Sequence, residues 1–149
     1  MVRPAPTVSV EIRPLRRGDA SGLQERCFTA MTPEDVAQRV EQDLIRQRNR
    51  LGLCLVAEAD GVLVATALLV CRERRVGQVC NVVVYEPFRG TGLLGRLMNE
   101  LANAAAELGV KRLRLAAEAA NLAAIKAYAR LGFRQTEIEQ DVAWFERRL

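Results

Sequence analysis

The segment LGLCLVAEADGVLVATALLVCRERRVGQVCNVVVY, from Leu51 to Tyr85, does most to limit the folds open to this chain. Its apolar, β-branched runs are broken twice by turn chemistry. Asp60-Gly61 between two such runs is a tight-hairpin signal, because both central positions of the favoured turn need positive φ. Residues 75–77 supply a second turn. Three consecutive antiparallel strands are therefore expected, over residues 53–59, 62–72 and 78–84.

The pattern changes after Arg89. Leu93, Leu97, Leu101, Ala105 and Leu108 recur at helical spacing, and Gly109 ends the helix. Residues 111–117 read as a strand and 121–131 as a helix, and Gly132-Phe133 leads into a last strand or strand pair. Upstream, residues 8–13 alternate as a first strand that Pro14 closes, and Asp19 caps a short helix ending near Ala30. Thr32-Pro33-Glu34-Asp35 opens a second helix: threonine caps, proline takes the first turn, and the acids meet the positive end. Val36, Val40 and Leu44 give that helix one apolar stripe, to about Arg48. The order β-α-α-β-β-β-α-β-α-β(-β) describes an α/β fold with a mixed, mostly antiparallel central sheet flanked by helices. No repeat or linker divides the chain, and 149 residues suit a single domain over 1–149.

Composition narrows the function. Half of the residues are apolar and 27% are charged, as in ordinary globular proteins. The longest apolar run, at 62–70, is too short to span a bilayer, so no membrane partner is expected. MVRPAPTVSV lacks the apolar stretch of a secretory signal, so the expected location is cytoplasmic. Cys27, Cys54, Cys71 and Cys80 form no C-x-x-C, and histidine is absent, so no metal site is expected. Cys71 and Cys80 flank the second turn, where a hairpin could set them face to face, but a reducing cytosol disfavours a disulfide. The net charge of +4 fits an anionic ligand. No basic stripe is interleaved with aromatics, and the cluster IRQRNR falls at a helix end where cations belong, so nucleic acid is not the expected partner.

GTGLLG, residues 90–95, has the G-x-G-x-x-G spacing of dinucleotide folds, and Glu118 stands about where their acidic residue would. The context opposes that reading, since YEPFR separates strand from glycine and an antiparallel meander precedes it. No G-K-[ST] follows, which excludes a Walker loop. The anion-binding physics remains. Bare positions at Gly90 and Gly92 let backbone N–H groups approach a phosphate, the helix N-terminus favours its charge, and Arg89 adds a charge-assisted bond. The plain alternative is a tight turn with one solvated arginine.

A second constellation, Asn121, Ala124, Tyr128, Gly132 and Phe133, follows the next strand. Together the two segments resemble the GNAT superfamily of acyl-CoA-dependent N-acyltransferases, whose motifs read [QR]-x-x-G-x-[GA] and N-x-x-A-x-x-x-Y-x-x-x-G-F. The second motif matches in full. The first matches at Arg89 and Gly92 but has Leu94 at its last small position, with Gly95 one residue later and expected to serve the helix. The resemblance runs from about Val8 to the C-terminus.

It implies acetyl-CoA as cosubstrate, held between two splayed strands at 78–84 and 111–117. Backbone at Val82, Val83 and Val84 would contact the pantetheine and thioester, and an N–H near Val83 or Val84 would polarise the carbonyl. Arg89, Gly90, Thr91, Gly92, Leu93 and Leu94 would cradle the pyrophosphate. Asn121 matches a cofactor-binding asparagine and equally suits a helix N-cap. Tyr128 matches the family's general acid, its ordinary pKa of ~10 keeping it protonated, and could instead be a packing tyrosine. The implied activity is that of an N-acetyltransferase (an acyltransferase transferring groups other than aminoacyl groups), acting by direct attack of a primary amine on a small molecule or peptide. A homodimer is common in the family. The catalytic base is missing from the pattern: Ala116 occupies one family glutamate position, and Glu73, Glu86 and Glu118 lie nearby as surface charges. That departure keeps a non-catalytic acyl-CoA-binding module as the alternative. Acceptor specificity is expected from the first two helices, the loop at 27–33 and the hairpin at 72–77.

Overall fold

The computed structural model describes residues 9–149; Val8, the expected start of the first strand, lies outside the described residues. The elements are β1 (Val10–Pro14), α1 (Ala20–Arg26), α2 (Pro33–Arg48), β2 (Gly52–Ala59), β3 (Val62–Cys71), β4 (Val76–Val84), α3 (Leu93–Glu107), β5 (Arg112–Glu118), α4 (Leu122–Arg130), β6 (Arg134–Glu139) and β7 (Val142–Arg148). They build one seven-stranded sheet in the order β1-β2-β3-β4-β5-β7-β6. Every pairing is antiparallel except β4 with β5, which α3 connects. The expected mixed, mostly antiparallel sheet is present, and the chain's end is a strand pair.

Each helix pair covers one face. Val36 and Val40 of α2 and Leu23 of α1 pack on Val56, Leu63 and Leu68. Leu97, Met98 and Leu101 of α3 are fully buried on the other face with Leu113, Leu115 and Phe145. Each such side chain contributes about 1.5–3 kcal/mol by leaving water. Thr32 Oγ1 accepts the Asp35 N–H at 3.1 Å, as its sequence context requires. Asp60 and Gly61 take φ values of 50° and 80°, the left-handed pair of the predicted hairpin.

Four local expectations fail, each for a tertiary reason. Pro14 is the last residue of β1 rather than its terminator, which an edge strand allows. Asp19 does not cap α1 through its side chain. Its carboxylate is drawn back to the buried Arg13 guanidinium, at 2.9 Å to each oxygen, and to the Arg16 N–H at 2.7 Å. The helix after it stops at Arg26, where the Cys27 and Phe28 N–H groups both close on the Leu23 carbonyl. The second turn lies at Glu73–Arg75, with Arg74 and Arg75 both at φ 59°, so β4 begins two residues early. Gly77 is then an interior strand residue, needed for space: a Cβ there would lie 2.7 Å from Leu69 Cδ1. The same shift sets Cys71 opposite Gly77 and Cys80 opposite Leu68, so the two thiols do not face each other, and all four cysteines are free.

The sheet comes apart at one place. β4 and β5 pair only through Val76, Gly77 and Gln78 with Arg112, Leu113 and Arg114. β5 continues alongside β7 to Glu118, while β4 stays with β3 to Val84 across a register shift. Asn81 lies within that irregularity at φ 51°, a conformation asparagine tolerates, and the bulge bends β4 away from β5.

Candidate active site

The splay opens a cleft of about 680 Å³ between the end of β4, the start of α3 and one side of α4. Val82, Val83, Val84, Arg89, Gly90, Gly92, Leu94, Asn121 and Tyr128 all line it. Two loop residues named with them do not. Thr91 turns its hydroxyl to the Phe88 carbonyl. The Leu93 side chain is buried in the core, so that residue can offer the cleft only its backbone.

The loop's geometry explains its glycines. Gly90 and Gly92 adopt φ values of 75° and 83°, yet a Cβ at either would meet nothing within 4 Å. They are there for the left-handed backbone, and the room beside them belongs to the cleft. Gly92 caps α3 with no side-chain hydrogen bond, and the first helical bond of this turn runs from the Arg96 N–H to the Gly92 carbonyl. The amides before Arg96 are therefore available to an anion, reinforced by the helix dipole. Arg89 donates from Nε to the Val84 carbonyl at 3.0 Å, tying the loop to β4 while the side chain stays exposed at the rim.

Three lining contributions escaped the sequence reading. Arg130, in the last turn of α4, brings a second guanidinium to the cleft. Phe88, Ala124, Ala127 and Leu131 supply apolar walls. Gly95, assigned to the helix alone, also borders the cleft, where its bare face looks toward Leu131 Cδ2. Arg130 falls between two motif positions, and only the one-sided exposure of α4 could have singled it out.

Tyr128 is half-buried, its ring 6.1 Å from Phe133 and 6.4 Å from Phe145. Burial raises its pKa above the ordinary phenol value, so the hydroxyl carries its proton at neutral pH. It also borders a second cleft of about 350 Å³, lined by Gln78, Val79, Cys80, Asn81, Val82, Leu115 and Ala116. Val82 and Tyr128 are common to both clefts, so a phenol stands where the two meet. Asn121 Oδ1 accepts the Ala124 N–H at 3.1 Å, capping α4 from a position on the first cleft's wall. Among the described residues no carboxylate lines either cleft. Glu118 ends β5 in solvent, Glu73 sits in the β3–β4 turn, and Glu86 lies in the turn after β4.

Among the described residues no group of three or more His, Cys, Asp or Glu side chains is placed to hold a metal ion, and no helix is long and apolar enough to cross a membrane.

The chain is similar to known proteins in both sequence and fold. The sequence model of the acetyltransferase (GNAT) family matches residues 19–133. The N-alpha-acetyltransferase MAK3 of Arabidopsis thaliana is 35% identical over 86 residues, a match covering 54% of this chain and 44% of the plant protein. An uncharacterized N-acetyltransferase of Mycobacterium tuberculosis is 29% identical over 114 residues, covering 72% of this chain and 73% of its own. Among solved structures, an acetyltransferase from Salmonella typhimurium with its cofactor acetyl-CoA superposes with a TM-score of 0.79 at 21% identity, over 95% of this chain and 94% of that one.

Proposed function

Because the chain belongs to the acetyltransferase (GNAT) family, we propose that it transfers an acetyl group from acetyl-CoA to a primary amine of a small molecule or peptide, with Tyr128 as general acid. The observation that carries this reading is the position of Tyr128 between a cleft with an anion-binding end and a second, separate cleft. Acetyl-CoA supplies an activated acyl thioester; the chain's own groups hold it and move the proton. The α3 N-terminus, Arg89 and Arg130 suit its phosphates. Beyond Gln78 the edge of β4 is released from β5, and the backbone at Val82, Val83 and Val84 suits the amides of a pantetheine arm.

The second cleft receives the acceptor. The amine lone pair forms the C–N bond to the acetyl carbon, the C–S bond breaks, and its electron pair leaves with sulfur. Tyr128 Oη protonates that sulfur, and the proton shed by the amine passes to solvent, from which the phenol is recharged. A backbone N–H at Val83 or Val84 is the donor suited to the carbonyl oxygen. General acid catalysis of this kind contributes about 10²–10⁴-fold.

The test is CoA release across a panel of amines and peptides. Tyr128→Phe should bind CoA as before and lose about 100-fold or more in kcat; full activity with an unchanged pH dependence removes the assigned acid. One observation favours a second reading, a non-catalytic acyl-CoA-binding module: among the described residues no carboxylate base lines either cleft. That module binds CoA and turns over no acceptor.

A further inference from the structure

We infer that the acceptor is an amine of low basicity, of the α-amine class found at peptide N-termini and in amino-acid derivatives, rather than a lysine-like alkyl amine. The inference rests on the acetyl-transfer reading and on the chemistry of the second cleft. Its polar side chains are Gln78, Cys80, Asn81 and Tyr128, all neutral. The cleft thus offers an entering ammonium no opposite charge. An amine attacks from it only once deprotonated, since the ammonium has no lone pair.

The cations packed around this cleft are arginines, two of them paired with carboxylates. Arg72 approaches from the end of β3 and donates to Gln78 Oε1 at 3.1 Å. From α2, Arg46 adds a second positive field at Cys80, partly offset by Asp43, which is buried and paired with Arg46 at 2.7 Å. On β5, Arg114 lies 4.1 Å over the Trp144 ring of β7 and is paired with Glu137 of β6. Tyr128 is the group from α4. Burial raises both the Cys80 thiol and the Tyr128 phenol, so neither is a base at neutral pH. With no side chain lining the cleft to take the ammonium proton, the reactive fraction is set by the acceptor's own pKa. At pH 7 an α-amine with pKa ~8 is about 10% neutral and a lysine side chain with pKa ~10.4 about 0.04%, a difference of roughly 200-fold. The greater nucleophilicity of the more basic nitrogen offsets part of that factor.

The experiment compares α-amines (peptides without lysine, amino-acid amides) with ε-amines and alkyl amines (Nα-blocked lysine peptides, butylamine), following CoA release against pH. The α-amines should be favoured by about tenfold or more in kcat/KM at pH 7, and each log profile should rise with unit slope to that acceptor's own pKa. Glu118→Gln and Glu137→Gln should leave the profiles unchanged. Equal use of the alkyl amines overturns the inference, as does an acidic limb shared by all acceptors that disappears in either glutamine variant. CoA binding without release from any amine overturns the acetyl-transfer reading itself, and is thereby distinguished.

Discussion

Gly77 offers a sharp test of how the strands are seated just before they part. An alanine in a strand interior is ordinarily better than glycine by about 0.5–1 kcal/mol, because less backbone entropy is lost on folding. Position 77 reverses that sign. An added Cβ would lie 2.7 Å from Leu69 Cδ1, 3.0 Å from Val110 Cγ1 and 3.3 Å from Leu113 Cδ2. Leu69 and Leu113 are fully buried, so neither can swing into solvent. Overpacking of this kind costs about 1–3 kcal/mol, which less the alanine gain leaves Gly77→Ala destabilised by about 1 kcal/mol at mid-range and at most about 2.5 kcal/mol, or about 2–10 °C in Tm for a chain of this size. Urea unfolding followed by circular dichroism should show a lower midpoint with an unchanged slope. Leu69→Val, which shortens the side chain making the closest contact, should recover part of the loss in the double variant. Gly18→Ala, where a Cβ meets nothing within 4 Å, is the matched control and should be neutral or better. A Gly77→Ala protein as stable as the parent would refute the packing argument and restore the simpler view of Gly77 as a turn residue.

Arg89→Ala should raise KM for acetyl-CoA by about 10–100-fold with kcat little changed, the effect of losing a charged hydrogen bond; Arg130→Ala should act in the same direction, and steady-state kinetics checks both. Asp19→Asn leaves the buried Arg13 only the Glu58 carboxylate at 3.7 Å, and should cost at most about 3–5 kcal/mol, the figure for a fully stranded charge, in urea unfolding at neutral pH. Burial pushes the Asp19 carboxyl up, but Arg13 and the Arg16 N–H outweigh it and hold the pKa below the ordinary value. Its contribution is therefore complete above the unfolded carboxyl pKa and lost as pH falls through the folded one, so the gap between parent and variant should close on acidification. Burial lifts Cys54 to about 12 and Cys27 to about 11, so native thiol labelling should reach Cys71 and Cys80 first; labelling of Cys54 at the rate of an exposed thiol would contradict its burial.

The fold was readable wherever local chemistry has a single solution. Asp60-Gly61 leaves a hairpin no other economical geometry, and Thr32 followed by proline and two acids can hardly be anything but a helix start. Reading failed where a residue serves a distant partner. Nothing near Asp19 in sequence announces that Arg13 needs it more than the helix does, since the need arises only when β1 and the turn after it fold together. Gly77 misled for the same reason. A glycine two residues after a pair of arginines looks like a turn, whereas its constraint comes from Leu69 on β3, from Val110 just before β5 and from Leu113 within it.

The candidate site divides along the same line. Arg89, Gly92, Asn121 and Tyr128 were legible because helix starts and phosphate loops place their residues at fixed chain spacings, however the rest of the chain is arranged. The second cleft had no such signature, being made by the failure of two parallel strands to stay paired beyond Gln78 and Arg114. Just beyond the last pair β4 carries a bulge with a positive φ at Asn81, a residue the sequence offers as one more position in a β run. Its consequence is chemical. The second cleft beside it is walled by strand residues of neutral character, Gln78, Val79, Cys80, Leu115 and Ala116, instead of by a loop that could carry a base. If that cleft receives the acceptor as proposed, the bulge also leaves the acceptor to supply its own neutral nitrogen, which ties the choice of substrate to a backbone angle rather than to a catalytic side chain.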